Sequence, residues 1–232
     1  MGSIIPTRRS AVIPAIALLV LAVAVVGWLH WRTPDGRPTP ETSPDYDDAR
    51  AQLAGLPVKG WERVTDFSRY RFGELWSDDV NVEFGHNGCN TRDDVLRRDL
   101  TQLLVRPGTC YAQSGVLIDP YTGESISFVR GPETSEAVQI DHVVSLSDAW
   151  YKGARDWDEQ RRRDFANDPR NLLAVGAKAN FDKAFRDANA WLPPNPAFRC
   201  EFVARQVAVK TTYRLWVSAN EKRAMAAVLD RC

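Results

Sequence analysis

The chain has 232 residues, 44% hydrophobic and 26% charged, and its 30 basic and 30 acidic side chains cancel to a formal charge of zero. This is ordinary globular composition and excludes a disordered, collagen-like or polytopic membrane protein. The first 32 residues hold three arginines and no acid, so the remainder carries 27 bases against 30 acids. That balance disfavours a dedicated high-affinity nucleic-acid binder and leaves room for an enzyme that only visits a polyanion.

Residues 11–29 form an uncharged apolar run of 19 residues, close to the ~20 that cross a bilayer as a helix. Arg8 and Arg9 precede it, and the positive-inside tendency then leaves the following chain outside the cytoplasm. Two readings stay open for residues 1–32: a signal anchor with Trp28 and Trp31 at the interface, or a signal peptide cut near Ala22-Val23-Ala24. Either one predicts an extracytoplasmic protein, anchored in the membrane or secreted after cleavage. Residues 33–45 hold four prolines and no large apolar side chain, so they are predicted to be an extended linker. The folded domain is expected over residues 46–232.

An oxidising compartment lets disulfides persist, and Cys89, Cys110, Cys200 and Cys232 show no CxxC spacing that would suggest zinc. Of the three possible pairings the sequence-local one is favoured, Cys89 with Cys110 and Cys200 with Cys232. Along the chain, Asn90 or Thr91 opens a predicted amphipathic helix over residues 90–104, ended by Pro107-Gly108. Residues 115–118 and 126–129 read as two strands around the turn Asp119-Pro120-Tyr121-Thr122-Gly123. Residues 137–144 are another extended run. Ser147 is predicted to cap a helix through Trp157, and a second helix spans 158–166 before Asn167-Asp168-Pro169. A short apolar run at 171–175 precedes a helix expected over 177–190, and two more helices are expected over 201–212 and 218–229. The sum is an α+β domain, rich in helix.

Only three histidines are present, His30, His86 and His142, and the first lies at the membrane boundary. His142 follows Asp141, an arrangement useful when the carboxylate holds a hard cation and the ring takes a proton from water. Downstream stand Asn171-Leu172, then Asn180 and Lys183, three apart and so neighbours on one helical face. This D-H, N, N, K series resembles the HNH, or ββα-metal, nuclease motif in its H-N-N form, although Gly176 and Ala179 stand where many members carry zinc-binding cysteines. The phrases GCNTRDDVL, DPYTG, IDHVVSLSDAW, FANDPRNLLAV and WLPPN extend the likeness over about residues 88–232. They are similar to the secreted actinobacterial branch of HNH proteins carrying the domain of unknown function 1524.

The resemblance implies a ββα-metal core over about residues 115–192 in a disulfide-stapled domain, and an endonuclease that hydrolyses phosphodiester bonds. By position it makes His142 the general base, Asp141 and Asn180 the metal ligands, and Asn171 the residue that fixes the loop orienting the imidazole. One carboxylate and one amide oxygen suit Mg²⁺, or Mn²⁺, better than a soft-ligand metal. Lys183 and Arg92 are the candidate phosphate contacts. Asp187 is a weaker candidate for supporting the metal shell, His86 is expected to be a loop residue near a disulfide, and Trp150, Trp157 and Trp191 are expected in the core. No small-molecule cofactor is implied. The partners implied are a transiently bound nucleic acid and, through the N-terminal segment, the membrane.

Three function classes follow: a nonspecific extracytoplasmic nuclease acting on DNA or RNA, a degenerate HNH scaffold that binds without cleaving, and a structural envelope protein. The D-H, N, N and K set favours the first, because neither binding nor structure requires that chemistry.

Overall fold

In the computed structural model, which describes residues 46–60, 65–132 and 134–232 together with Gly2, capping residues and short strands set most element ends. The apolar run at 11–29 and the linker at 33–45 lie outside the described residues. Among the described residues, no helix is long and apolar enough to cross a membrane.

Helix α1 (Asp47–Gly55) is followed by an irregular stretch up to α2 (Thr91–Asp99). The Asn90 side chain caps α2 by accepting from the Asp93 amide at 2.9 Å, satisfying a donor that has no partner within the helix. The helix predicted over residues 90–104 is therefore too long. Leu100 is already extended, and β1 (Thr101–Val105) takes Leu103 and Leu104 into a sheet. The leucine spacing there served helix and strand equally well, and a short apolar stretch cannot separate the two by periodicity.

Strands β1, β2 (Ala112–Ile118) and β3 (Ser125–Val129) form an antiparallel sheet in that order. A second, two-stranded sheet pairs β4 (Val138–His142) with β5 (Leu172–Gly176), antiparallel, from Val138 opposite Gly176 to His142 opposite Leu172. Between these strands run α3 (Leu146–Tyr151) and α4 (Glu159–Asn167). Ser145 caps α3 rather than Ser147, with its hydroxyl accepting from the Asp148 amide at 3.1 Å, and the helix ends six residues before Trp157. Asp158 caps α4 in the same way.

Immediately after β5 comes α5 (Ala177–Lys183), which stops well short of the predicted Ala190. Its C-cap, Ala184, has φ 50°, a left-handed backbone that L residues other than glycine adopt at a cost. Phe181 and Phe185, which recur at helical spacing in this stretch, are both exposed. The chain closes with α6 (Arg199–Tyr213) and α7 (Ala219–Leu229), the latter capped by Ser218.

Strand β5 is buried along its whole length because each face meets a different apolar cluster. Leu172 and Ala174 join Val95, Leu96, Leu117, Phe128 and Ile140, between α2 and the sheets. Leu173 and Val175 join Val143, Phe202, Val207 and Met225, against α6 and α7. A third cluster, with Phe72, Trp150, Phe165 and Leu215, lies under α3 and α4 and takes Trp157 at its edge. Helix α2 ties the sheets together: Arg98 donates to the Pro169 and Leu172 carbonyls, and Asp99 Oδ2 accepts from the Ala174 amide at 2.8 Å.

The disulfides are Cys89–Cys110 and Cys200–Cys232, with Cα separations of 5.6 and 5.9 Å. The first fastens the start of α2 to the β1–β2 turn, and the second ties the start of α6 to the residues after α7. Each closes a loop of a size that stabilises by roughly 3 kcal/mol through restriction of the unfolded chain.

Gly176, where β5 passes into α5, is packed so closely that a Cβ there would lie 2.8 Å from Ile126 Cδ1 and 2.9 Å from Asp119 Oδ2. We expect Gly176→Ala to cost about 1–3 kcal/mol by overpacking, measured as a lower denaturant midpoint with unchanged m-value.

Candidate active site

Asp141 and His142 are the last two residues of β4, and the ladder holds to its end, so their side chains leave on opposite sides of the ribbon. On one side Asp141 meets α5. Lys183 Nζ lies 3.0 Å from its Oδ1 and 2.9 Å from its Oδ2, and the Tyr121 hydroxyl donates to Oδ2 at 2.5 Å. Lys183 also donates to the His142 carbonyl at 2.8 Å and is fully buried. Burial raises the Asp141 carboxyl above its usual range, against the opposing pull of Lys183 and Tyr121. The Tyr121 hydroxyl, buried beside this carboxylate, is pushed far upward and stays a donor. The ammonium bridging both oxygens is the decisive contact, and it favours ionised Asp141.

Lys183 is thus a buried counter-ion and not the phosphate-facing lysine expected from the sequence. Arg92 is also committed elsewhere. Its guanidinium donates to the Val138 carbonyl at 3.1 Å, holding the start of β4, so it braces the strand.

On the other side, His142 is 5% exposed and stacks on Trp76, with centroids 6.0 Å apart and planes 13° from parallel. Its Nε2 lies 2.8 Å from the Ala166 carbonyl at the end of α4. A carbonyl can only accept, so Nε2 carries the proton and Nδ1 the lone pair. Burial pushes the imidazole down to about 3, with Arg69 and Lys183 adding to the effect and the Ala166 carbonyl opposing it. The ring is neutral at physiological pH.

Asn171 is buried and grips the backbone just past His142. Its Oδ1 accepts from the Val144 amide at 2.8 Å, its Nδ2 donates to the Val144 carbonyl at 3.2 Å, and its own carbonyl accepts from Val143 at 2.8 Å. The chain bends where the side-chain amide stands in for a strand neighbour. Asn180, on α5, donates from Nδ2 to Gln139 Oε1 at 2.7 Å, which leaves its own Oδ1 for another partner.

Gln139, Asp141, His142 and Asn180 line one cavity of about 440 Å³, with Arg69 and Phe181 at its edge. It adjoins a depression of about 490 Å³ that shares Arg69 and His142, and one of about 710 Å³ that shares Ser147 and Phe185 but does not reach the imidazole. Among the described residues, no three His, Cys, Asp or Glu side chains gather as a metal-binding group. His86, in the loop before Cys89 at φ 58°, is exposed and does not line this cavity.

Gln139 could have been found by strand parity, two residues before Asp141. Tyr121 and the Ala166 carbonyl carry no such signal, since tertiary packing alone brings them near.

Beside the larger depression lies a buried ionic cluster. Lys152 Nζ is 2.5 Å from Asp148, 2.6 Å from Glu221 and 3.0 Å from Asp187, while Lys210 Nζ is 2.8 Å from Asp148 and 2.9 Å from Glu221. Asp187 is therefore part of this cluster and not of the Asp141 surroundings. Burial alone would raise Asp148, but Lys210 and Lys152 overcome it and hold the carboxyl below its ordinary value. A depressed folded-state value means stabilisation that is complete above the ordinary carboxylate value of ~4 and is lost as pH falls through the depressed one. The Tm advantage of the wild type over Asp148→Asn should accordingly be largest near neutrality and shrink in acid. Lys210→Met, which leaves buried carboxylates short of a cation, should cost about 3–5 kcal/mol in chemical denaturation.

The model of the family "GmrSD restriction endonucleases, C-terminal domain" matches residues 90–228, well over half of the chain. A protein of Arthroderma benhamiae described as an uncharacterized secreted protein is 36% identical over 202 residues, covering 86% of this chain and 92% of that one. No solved structure matches.

Proposed function

Because the chain belongs to the family of GmrSD restriction endonuclease C-terminal domains, we propose that it is an extracytoplasmic, divalent-metal-dependent nuclease that hydrolyses phosphodiester bonds of DNA or RNA without strong sequence preference. The observation that carries this reading is that one cavity is lined by His142, whose imidazole is neutral, by Asp141 and by Asn180, whose amide oxygen is free. Strands β4 and β5 and helix α5 then serve as the two strands and helix of an HNH-like ββα-metal element, with residues 143–171 as a long insertion between the strands. The reading also draws on the resemblance of the sequence phrases to the secreted actinobacterial branch of HNH proteins carrying the domain of unknown function 1524. The extracytoplasmic assignment rests on the apolar run at 11–29, the two disulfides and the secreted description of the relative.

The residues present fit a hard cation in part: the Asn180 amide oxygen is free, whereas Asp141 already has Lys183 at both carboxylate oxygens and Tyr121 at one, so a cation would share that carboxylate with them. Asp141 and Asn180 would hold it as oxygen ligands, with Gln139 beside them, and so few protein ligands leave most of the shell to water and substrate, as Mg²⁺ or Mn²⁺ prefers. When bound, the cation supplies charge stabilisation at the phosphate and the leaving oxygen. His142 takes the proton of the attacking water at Nδ1, while the Ala166 carbonyl keeps Nε2 protonated and stabilises the imidazolium that results. Asn171 and Lys183 are positioning residues: one fixes the bend after His142, the other holds Asp141 and the His142 carbonyl in register.

The test is incubation of the full chain with plasmid DNA and with RNA in Mg²⁺, Mn²⁺ or EDTA. We expect cleavage with either metal and none in EDTA. His142→Ala should keep the wild-type Tm within a few degrees and lower turnover by roughly 10² to 10⁴. Asn180→Ala and Asp141→Asn should both raise the Mg²⁺ concentration needed for half-maximal rate. A folded His142→Ala protein with wild-type turnover, or absence of any cleavage, would overturn the assignment and leave a binding scaffold.

A further inference from the structure

We infer that the site takes its substrate as single-stranded nucleic acid, with Phe181 and Phe185 stacking on unpaired bases beside the scissile phosphate and Arg69 contacting the backbone. This rests on the nuclease reading above and specifies its substrate. The chain has nine phenylalanines, and only these two are strongly exposed, at 82% and 70%. Both line the cavity that holds His142 and Asn180. Rings exposed at one spot and withheld from three available apolar clusters offer π-faces to a ligand. Bases in an intact duplex are already stacked on their neighbours, whereas unpaired bases can be splayed onto aromatic side chains.

Helix α5 presents Phe181 on its last turn. The chain then leaves the helix through Ala184 at φ 50°, and Phe185 follows directly. Local backbone strain of this kind persists where surrounding structure enforces it. The charges agree. Arg69 is exposed, lines the same cavity, forms no ion pair among the described residues, and lies near enough to depress the imidazole of His142. The carboxylates on this side are paired with lysines, Asp141 with Lys183, and Asp148, Asp187 and Glu221 with Lys152 and Lys210; the last group has one acid in excess and does not line the cavity that Arg69 lines. The depression beyond His142 carries the exposed Tyr70 but also Glu74, a charge that repels phosphate, so the stacking face is assigned to the phenylalanine side alone.

The experiment is fluorescence anisotropy of the full chain with a labelled single-stranded DNA oligonucleotide, the same sequence as duplex, and a single strand with consecutive abasic sites, all in EDTA so that nothing is cut. We expect the single strand to bind at least tenfold tighter than the duplex at equal salt. Phe181→Ala and Phe185→Ala should each weaken it about tenfold, and Phe→Trp at either position should restore it. On the abasic strand the alanine variants and the wild type should bind alike. Equal binding of single strand and duplex, or unchanged affinity in both alanine variants, would overturn the inference. So would a concentration-dependent dimer abolished by the same variants, which would assign the rings to an interface between copies. Cleavage that ignores these substitutions and prefers duplex would sink this proposal and leave the nuclease reading standing. Ring-dependent single-strand binding without cleavage in any metal would do the reverse.

Discussion

The candidate site hangs on one buried ammonium. Lys183 reaches both oxygens of Asp141 and the carbonyl of His142, so a single cation ties helix α5 to the end of strand β4. Burying it costs several kcal/mol in desolvation, offset only because its acceptors are fixed in place and Tyr121 shares the carboxylate. Without that charge, two carboxylate oxygens would sit in an apolar setting with one hydroxyl for company. The geometry of His142 and Asn180 is inherited from this contact, since one follows Asp141 in the strand and the other lies a turn before Lys183 in the helix.

The insertion between β4 and β5 is more than a spacer. It supplies Ala166, whose carbonyl selects the protonated nitrogen of His142, and it ends at Asn171, which fastens the backbone two residues beyond the imidazole. Strands β4 and β5 are therefore locked by the segment that separates them. Packing of Phe165 and Trp150 in the cluster below sets where Ala166 lies, which couples a region without reactive groups to the His142 imidazole.

Much of this was legible in the sequence, for reasons that differ by residue. Asp141, His142, Asn171 and Asn180 stand in a spacing that chemistry constrains, and the structure brings Asp141, His142 and Asn180 to one cavity with Asn171 behind them. Lys183 was visible as a helical neighbour of Asn180, but spacing says nothing about whether a lysine points outward or inward. The Lys152–Asp148 contact is an i,i+4 pair and could be anticipated, whereas Lys210 and Glu221 arrive from distant helices through tertiary packing. Helix lengths failed at residues 90–104 and 177–190 because apolar residues continued at helical spacing past the real stops. In the first case a sheet claimed them, and in the second the backbone reversed at Ala184.

Asn171 bears on how such a domain ages. Its side chain uses a donor and an acceptor on the same peptide neighbour, a match that only an amide can make. Conversion to aspartate by spontaneous deamidation would keep the shape and place a negative oxygen against the Val144 carbonyl, turning an attraction into a repulsion inside the core. The lifetime of this one amide therefore bounds the lifetime of the bend. Complete burial and the backbone bond from the Asn171 amide to the Asp168 carbonyl at 2.8 Å hold the residue still and dry, the two conditions that slow the reaction.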